Sequence, residues 1–180
     1  MNKDLERTIE IANGVSVSIE GKVFVVRGNG KEIMRTFEIG KIKAEVRGKE
    51  VVLKAKGASK REAKMIGTIW AHLNNMINGA NEDFVYELEV CNVHFPMNVK
   101  VEGNKIVIKS FLGEKVVRES KVLDGVKVDI NGNKIVVSSH DIEAAGQTAA
   151  NLEKATKLTG RDRRIFQDGI FITKKPYRTI

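Results

Sequence analysis

Short runs in which Val or Ile alternates with a polar residue, each closed by a glycine, form the commonest pattern along the chain. ValSerValSerIle (15–19) and LysValPheValValArg (22–27) flank Gly21, and LysAlaGluVal (43–46) and GluValValLeu (50–53) flank Gly48-Lys49. Period-two alternation interrupted by a turn residue predicts two antiparallel hairpins. Two more follow in the same order. AsnValLysVal (98–101) and LysIleValIle (105–108) surround Gly103-Asn104, while LysValAspIle (127–130) and LysIleValVal (134–137) surround Gly132-Asn133, whose glycine supplies the positive φ of a primed turn.

The repetition signals an internal duplication. Val17, Ile19 and Gly21 match Val99, Val101 and Gly103 at an offset of 82, and Gly30, Ile33 and Arg35 match Gly113, Val116 and Arg118 at 83. Ile42, Ala44, Val46, Gly48 and Val51 then match Val126, Val128, Ile130, Gly132 and Ile135 at 84, so the offset drifts only at loops. A helix closes each copy. The first opens on the capping box Ser59 to Glu62 and carries Ala63, Ile66, Trp70, Leu73 and Ile77 on one face. The second begins near Asp141 and carries Ile142, Ala145, Ala149 and Leu152. Gly67 and Gly146 align within the two helices, where a glycine costs about 1 kcal/mol relative to alanine, a cost that close approach of helix to sheet would justify. A strand-like run follows each helix, PheValTyrGluLeuGluVal (84–90) in the first copy and GlyIlePheIleThr (169–173) in the second. The expected fold is α+β, with two tandem duplicated domains, residues 1–81 and 82–180. Each is a mainly antiparallel β-sheet with one face covered by one α-helix and the other solvated, and the second ends in a basic segment.

A chain of 180 residues, 42% hydrophobic and 30% charged, can bury real cores, which excludes disorder as its general state. A single cysteine, Cys91, forbids an internal disulfide, and with three histidines it leaves too few ligands for a dedicated zinc site, so no metal or cofactor is expected. The charges at Lys3, Asp4, Glu6, Arg7 and Glu10 do not fit a secretory leader, and no run approaches the roughly 18 apolar residues of a membrane span. A cytosolic protein without a membrane partner is the expectation. The net charge of +8 falls as +6 over residues 1–80, −2 over 81–160 and +4 over 161–180, which makes the last segment the most basic per unit length. Such a tail is either a solvated, solubilising stretch or the footprint of an acidic partner.

Other chemistry is sparse. His140, Asp141 and Glu143 are a compact titratable set, but they stand where the second helix begins, which makes Asp141 an N-cap and Glu143 a favourable first-turn charge rather than an acid-base pair. His72 and His94 have no cysteine or histidine at metal spacing, and Cys91 reads as a small buried side chain with no base beside it. GlyAsnGly (28–30) is followed by neither GlyLysThr nor GlyLysSer and opens no helix, so it is not a nucleotide loop. An enzyme is therefore not expected.

Four stretches, ValHisPheProMetAsnVal (93–99), PheLeuGlyGluLys (111–115), GlnThrAlaAlaAsnLeuGluLysAlaThr (147–156) and AspArgArgIlePheGlnAspGlyIle (162–170), together with the duplicated plan, resemble the large-subunit ribosomal protein L six family in its archaeal and eukaryotic branch. The resemblance implies a structural, non-enzymatic protein of the cytoplasmic ribosome. It would bind large-subunit ribosomal RNA mainly through the second domain, near the sarcin-ricin loop and the stalk base where translation GTPases dock. Its further partners would be neighbouring large-subunit and stalk-base ribosomal proteins. It carries RNA contact onto Arg161, Arg163 and Arg164, and with them Lys154, Lys157, Lys174 and Lys175. Lys115 lies after a tight bend at Gly113 and reads either as a phosphate contact or as part of a plain hairpin turn.

The residues agree with that reading from below. Folding the last strand onto the sheet would gather these cations at one end of the second domain, where arginine forks donate paired hydrogen bonds to phosphate and release counterions. Asp162 and Asp168 are expected to orient neighbouring cations, and Ile165, Phe166, Ile170 and Phe171 to pack in the core. Aromatics are 6% of the chain and fall on apolar faces at Phe24, Phe37, Phe84 and Trp70, which leaves no stacking platform and predicts recognition of phosphates, 2′-hydroxyls and shape. In the first domain Lys60, Arg61 and Lys64 share a helix start, where the dipole disfavours cations, so either they are simply solvated or an anion lies nearby. The competing reading is a free protein-interaction or assembly module that binds through exposed sheet edges, its basic charge incidental.

Overall fold

In a computed structural model that describes residues 3–179, the chain enters on β1 (Lys3–Glu10), a strand that the charge-rich sequence of this segment does not announce. The first two expected hairpins follow as β2 (Val15–Glu20) with β3 (Val23–Gly28), and, after β4 (Lys31–Thr36), β5 (Lys43–Arg47) with β6 (Glu50–Ala58). Helix α1 (Lys60–Asn81) closes the first copy. The strands form two antiparallel sheets, β2-β3-β4 and β1-β6-β5.

The second copy opens on β7 (Phe84–Cys91) and continues through the hairpin β8 (Asn98–Glu102) with β9 (Lys105–Lys109), a single 3-10 turn at Phe111–Gly113, and β10 (Arg118–Lys121). The hairpin β11 (Lys127–Asn131) with β12 (Lys134–Ser139), helix α2 (Ile142–Ala155), β13 (Gly169–Lys175) and β14 (Arg178–Thr179) complete it. Its sheets are β8-β9-β10 and β11-β12-β7-β13-β14. By contacts the chain divides into Met1–Asp83 and Phe84–Ile180, two residues beyond the division expected from sequence. The α+β class and the duplication hold, with the strands of each unit shared between two sheets rather than one.

The run at 84–90, assigned above to the first copy, belongs to the second. There β7 pairs with β12 through Leu88 and Ile135 and with β13 through Val90 and Ile170, so it is the central strand of the larger sheet. The alignment of Arg35 with Arg118 also shifts. Arg35 stands opposite Phe24 and Arg118 opposite Ile108, whereas the 82-residue offset makes Phe24 equivalent to Ile106; the slip of two preserves the face. GlyAsnGly proves to be a hairpin corner: Asn29 and Gly30 both have positive φ, 48° and 73°, the signature of a type I′ turn between β3 and β4.

Each unit has its own core. In the first, Phe24, Val51, Leu53, Ile66, Ile69, Leu73 and Ile77 are almost wholly buried, α1 lying over strands of both sheets. In the second, Leu88, Ile106, Ile108, Phe111, Ile135, Val137, Leu152 and Ile170 play that part. Both helices start as expected. Ser59 accepts from Arg61 N and its backbone N–H donates to Glu62, completing the capping box, and Asp141 accepts from Glu143 N at 2.9 Å.

The paired glycines differ. A Cβ on Gly146 would stand 2.9 Å from Tyr86 Oη on β7, so that helix does approach its sheet, whereas a Cβ on Gly67 would meet nothing within 4 Å. The first unit makes its close approach from the strand side instead: a Cβ on Gly28 would lie 3.3 Å from Ala80 Cβ near the end of α1. Among the described residues no helix is long and apolar enough to cross a membrane.

Candidate nucleic-acid interface

The tail cations are positioned by the way α2 ends and β13 begins. Lys154 occupies the last turn of α2, where its charge complements the negative end of the helix dipole, and Lys157 N closes the turn on Lys154 O at 3.1 Å. Thr156, buried between them, accepts from Ile170 N at 2.9 Å through its hydroxyl, which ties the start of β13 to the end of α2. Glycine at 169 makes room for the Phe171 ring, which a Cβ there would approach to 2.9 Å.

The loop between these anchors is a wound turn. Asp162 accepts the backbone N–H of Arg164 at 2.9 Å and pairs with its guanidinium at 2.7 Å, while Ile165 N and Phe166 N both donate to Asp162 O. Arg164 holds the Asp162 carboxyl below the usual carboxylate range. The Arg161 guanidinium lies 4.9 Å from the centroid of the Phe166 ring, within cation–π reach. Asp168 is buried and accepts from Val93 N at 3.1 Å, fastening the loop to the segment after β7. Asp162 thus orients a cation as expected, whereas Asp168 holds backbone.

Lys154, Lys157 and Arg163 converge on one open cleft of about 1010 Å³ at this end of the second unit, with Phe166 and Phe171 in its wall. Glu89, Glu153 and Asp168 also line it, so the basic rim is not uniform. Arg161 and Arg164 sit on the adjoining turn, both exposed. Lys174 and Lys175 are not gathered with them. Gly169 pairs with Cys91 at the cleft end, but Lys174 pairs with Glu87, five residues and roughly 16 Å along the strand. Lys174 Nζ is committed to Glu87 at 2.6 Å.

Lys115 follows the 3-10 turn, in which Ser110, Leu112 and Gly113 all have positive φ. Arg118 fixes that turn in place. Its guanidinium donates to both Glu114 oxygens, to Ala155 O at 2.9 Å at the end of α2, and covers the buried Phe111 ring at 4.3 Å. Lys115 is thereby tied to the end of the unit that carries Lys154 and Lys157. The sequence marks Arg118 only as a repeat position and Thr156 only as the end of a longer stretch, and nothing in it points to their anchoring roles.

The core expectation fails for two of four tail residues. Ile170 is fully buried and Phe171 is half-buried beside the cleft, but Ile165 is 74% exposed, and Phe166 is half-covered by Arg161 rather than packed inside. Both stand on the exposed turn that Asp162 winds outward, which carries them away from the sheet. Cys91 is half-buried on the cleft wall, and burial, with Glu89 and Asp168 nearby, pushes its thiol up, away from nucleophilic use. Among the described residues no group of three metal-ligating side chains converges.

The chain matches the family model described as ribosomal protein L6 twice, over residues 11–83 and 95–169. It is 49% identical over 175 residues to the large ribosomal subunit protein uL6 of Methanosarcina mazei, covering 97% of this chain and 99% of that one. Similarity to the proteins of the same name from Methanococcus vannielii, 43% over 95% of this chain and 94% of that one, and Saccharolobus solfataricus, 41% over 95% of each, is of the same extent.

Proposed function

The chain belongs to the ribosomal protein L6 family, in its archaeal branch, and from that premise we propose that it binds large-subunit ribosomal RNA mainly through its second unit, near the sarcin-ricin loop and the stalk base. The family is structural and non-enzymatic, and the protein is a constituent of the large ribosomal subunit. Its neighbours on the cytoplasmic ribosome would be other large-subunit and stalk-base proteins, with translation GTPases docking close by.

The observation that carries the RNA reading is the convergence of Lys154, Lys157 and Arg163 on one cleft, with Arg161 and Arg164 on the adjoining turn. Thr156 and Asp168 hold that loop before any ligand arrives, so less ordering is needed on binding. Arg163 has no ion pair among the described residues and is the first candidate to clasp a phosphate; Arg164 would have to share its fork with Asp162. Lys115, Lys174 and Lys175 remain proposed contacts of the periphery.

The test is the affinity of the full chain for a large-subunit RNA fragment carrying the sarcin-ricin region, against an unrelated folded RNA of equal length, over a salt series. Preferential binding that weakens with salt supports the reading. Replacing Arg161, Arg163 and Arg164 by alanine should weaken it and flatten the salt slope by roughly one unit per lost phosphate contact. Equal weak binding to both RNAs, or a slope that the triple variant leaves unchanged, would overturn it.

A further inference from the structure

Lys60, Arg61 and Lys64 lie exposed at the start of α1, with no ion-pair partner among the described residues. Three further exposed cations, Lys41, Lys43 and Lys56, share that condition, and the structure brings the two sets to the same end of the first unit. Lys41, Lys43 and Lys56 line a hollow of about 500 Å³ together with Lys54. Lys41 is also close enough to the first turn of α1 to help lower the Glu62 carboxyl, after the capping bonds from Ser59, which links the hollow to the helix start.

The acids nearby are already engaged. Asp4 accepts from Gly57 N at 2.7 Å, Glu6 pairs with Lys54 and Glu45 with Arg47, both at 2.8 Å, and Glu62 belongs to the capping box. Lys43 stands directly opposite Lys54 in the β5–β6 ladder, where like charges repel. Lys60 and Lys64 repeat that conflict at i and i+4 on the helix, against its dipole. Hydrogen bonds from backbone do not cancel the charges of Asp4 and Glu62, so the six cations leave an excess of four, which local structure does not explain and an external polyanion does.

We propose that this end of the first unit is a second, independent contact surface for the phosphate backbone of ribosomal RNA, a proposal that rests on the chain binding such RNA at all. Five of the six cations are lysines, which act as point charges without the paired geometry of arginine, and the surface carries no exposed aromatic ring among them. It therefore reads charge and not sequence, and it differs from an acidic protein partner in favouring closely spaced phosphates.

The test uses the full chain and protein-free large-subunit ribosomal RNA. One variant carries Lys60→Ala, Arg61→Ala and Lys64→Ala, exposed helical positions that tolerate alanine; a second carries Lys41→Ser, Lys43→Thr and Lys56→Thr on loop and strand. Each should lower affinity several-fold at low salt and flatten the salt slope by roughly two units, adding to the loss caused by the triple arginine variant of the second unit. Poly-glutamate of matched charge should fail to displace the RNA. If the first-unit variants keep full affinity and slope while the second-unit variant loses both, this inference falls and the proposed function stands. Failure of the unaltered chain to bind overturns both, and displacement by poly-glutamate overturns the preference for phosphate.

Discussion

The two units carry the same net charge, +4 each, on the same plan of two antiparallel sheets and a helix, yet they dispose their cations in opposite ways. In the second unit the three arginines of the tail, Arg161, Arg163 and Arg164, stand on an irregular loop that hydrogen bonds accepted by Thr156 and Asp168 hold in one shape. In the first the cations stand on a helix start, a strand pair and the turn before it, with their side chains in solvent. A fixed loop can match the form of a folded RNA; long side chains on a smooth face can match only its charge. Net charge alone would not have separated the units, and their anchoring does.

The deepest test of the likeness lies in the cores. Leu73 and Leu152 are each fully buried in the helix of their unit. Leu73→Ala and Leu152→Ala should each cost about 2–5 kcal/mol, read as lost hydrogen-exchange protection in the unit concerned. A much smaller loss in either would break the equivalence of the two packings. The anchoring difference is tested at Thr156. Thr156→Val leaves Ile170 N–H buried without its acceptor and should cost about 1–3 kcal/mol, while Thr156→Ser, which keeps the hydroxyl, should cost much less. A larger loss for Thr156→Ser than for Thr156→Val would mean that the methyl group, and not the hydrogen bond, holds the loop.

The smallest effect separates the helices. Gly67→Ala, with open space for its Cβ, should stabilise by about 0.5–1 kcal/mol. Gly146→Ala should destabilise, because its Cβ must displace the Tyr86 hydroxyl, and Tyr86→Phe should relieve part of that penalty. Denaturant midpoints of the four proteins, including the Gly146→Ala, Tyr86→Phe double variant, decide the sign.

Much of this architecture is legible in the sequence. The four hairpins are announced by alternation and a glycine at the first turn position, and φ is 62° at Gly48 and 60° at Gly132. Both helix starts are legible because a cap is a local device of a few residues. What escapes is non-local. β1 alternates weakly and is recruited by β6, and the run at 84–90 reads equally well as the end of one unit or the beginning of the next, since a strand's pattern does not name its partner. Asn29-Gly30 signals a hairpin, but its far strand, Lys31–Thr36, puts Lys31 and Arg35 beside Ile33 on its covered face and Met34 on its exposed one, so it does not stand out. At the site, the cations of the tail follow from sequence, but their division into a cleft group and a distant pair depends on the length of β13. The anchoring roles of Arg118 and Thr156 are invisible for another reason: their worth lies in partners at Ala155 and Ile170, which only the fold supplies.

The central place of β7 also sets a schedule. This strand leaves the ribosome making the chain before any other of its sheet, yet its two neighbours, β12 and β13, follow after long stretches of chain, with Val90 waiting for Ile170. The first unit needs nothing beyond α1 to close and can fold while synthesis continues; the second pairs over long sequence separations, which slows folding. The loop that carries Arg161, Arg163 and Arg164 precedes β13 and is held by it, so the proposed contact surface takes shape at the last step of folding, after the first unit has closed.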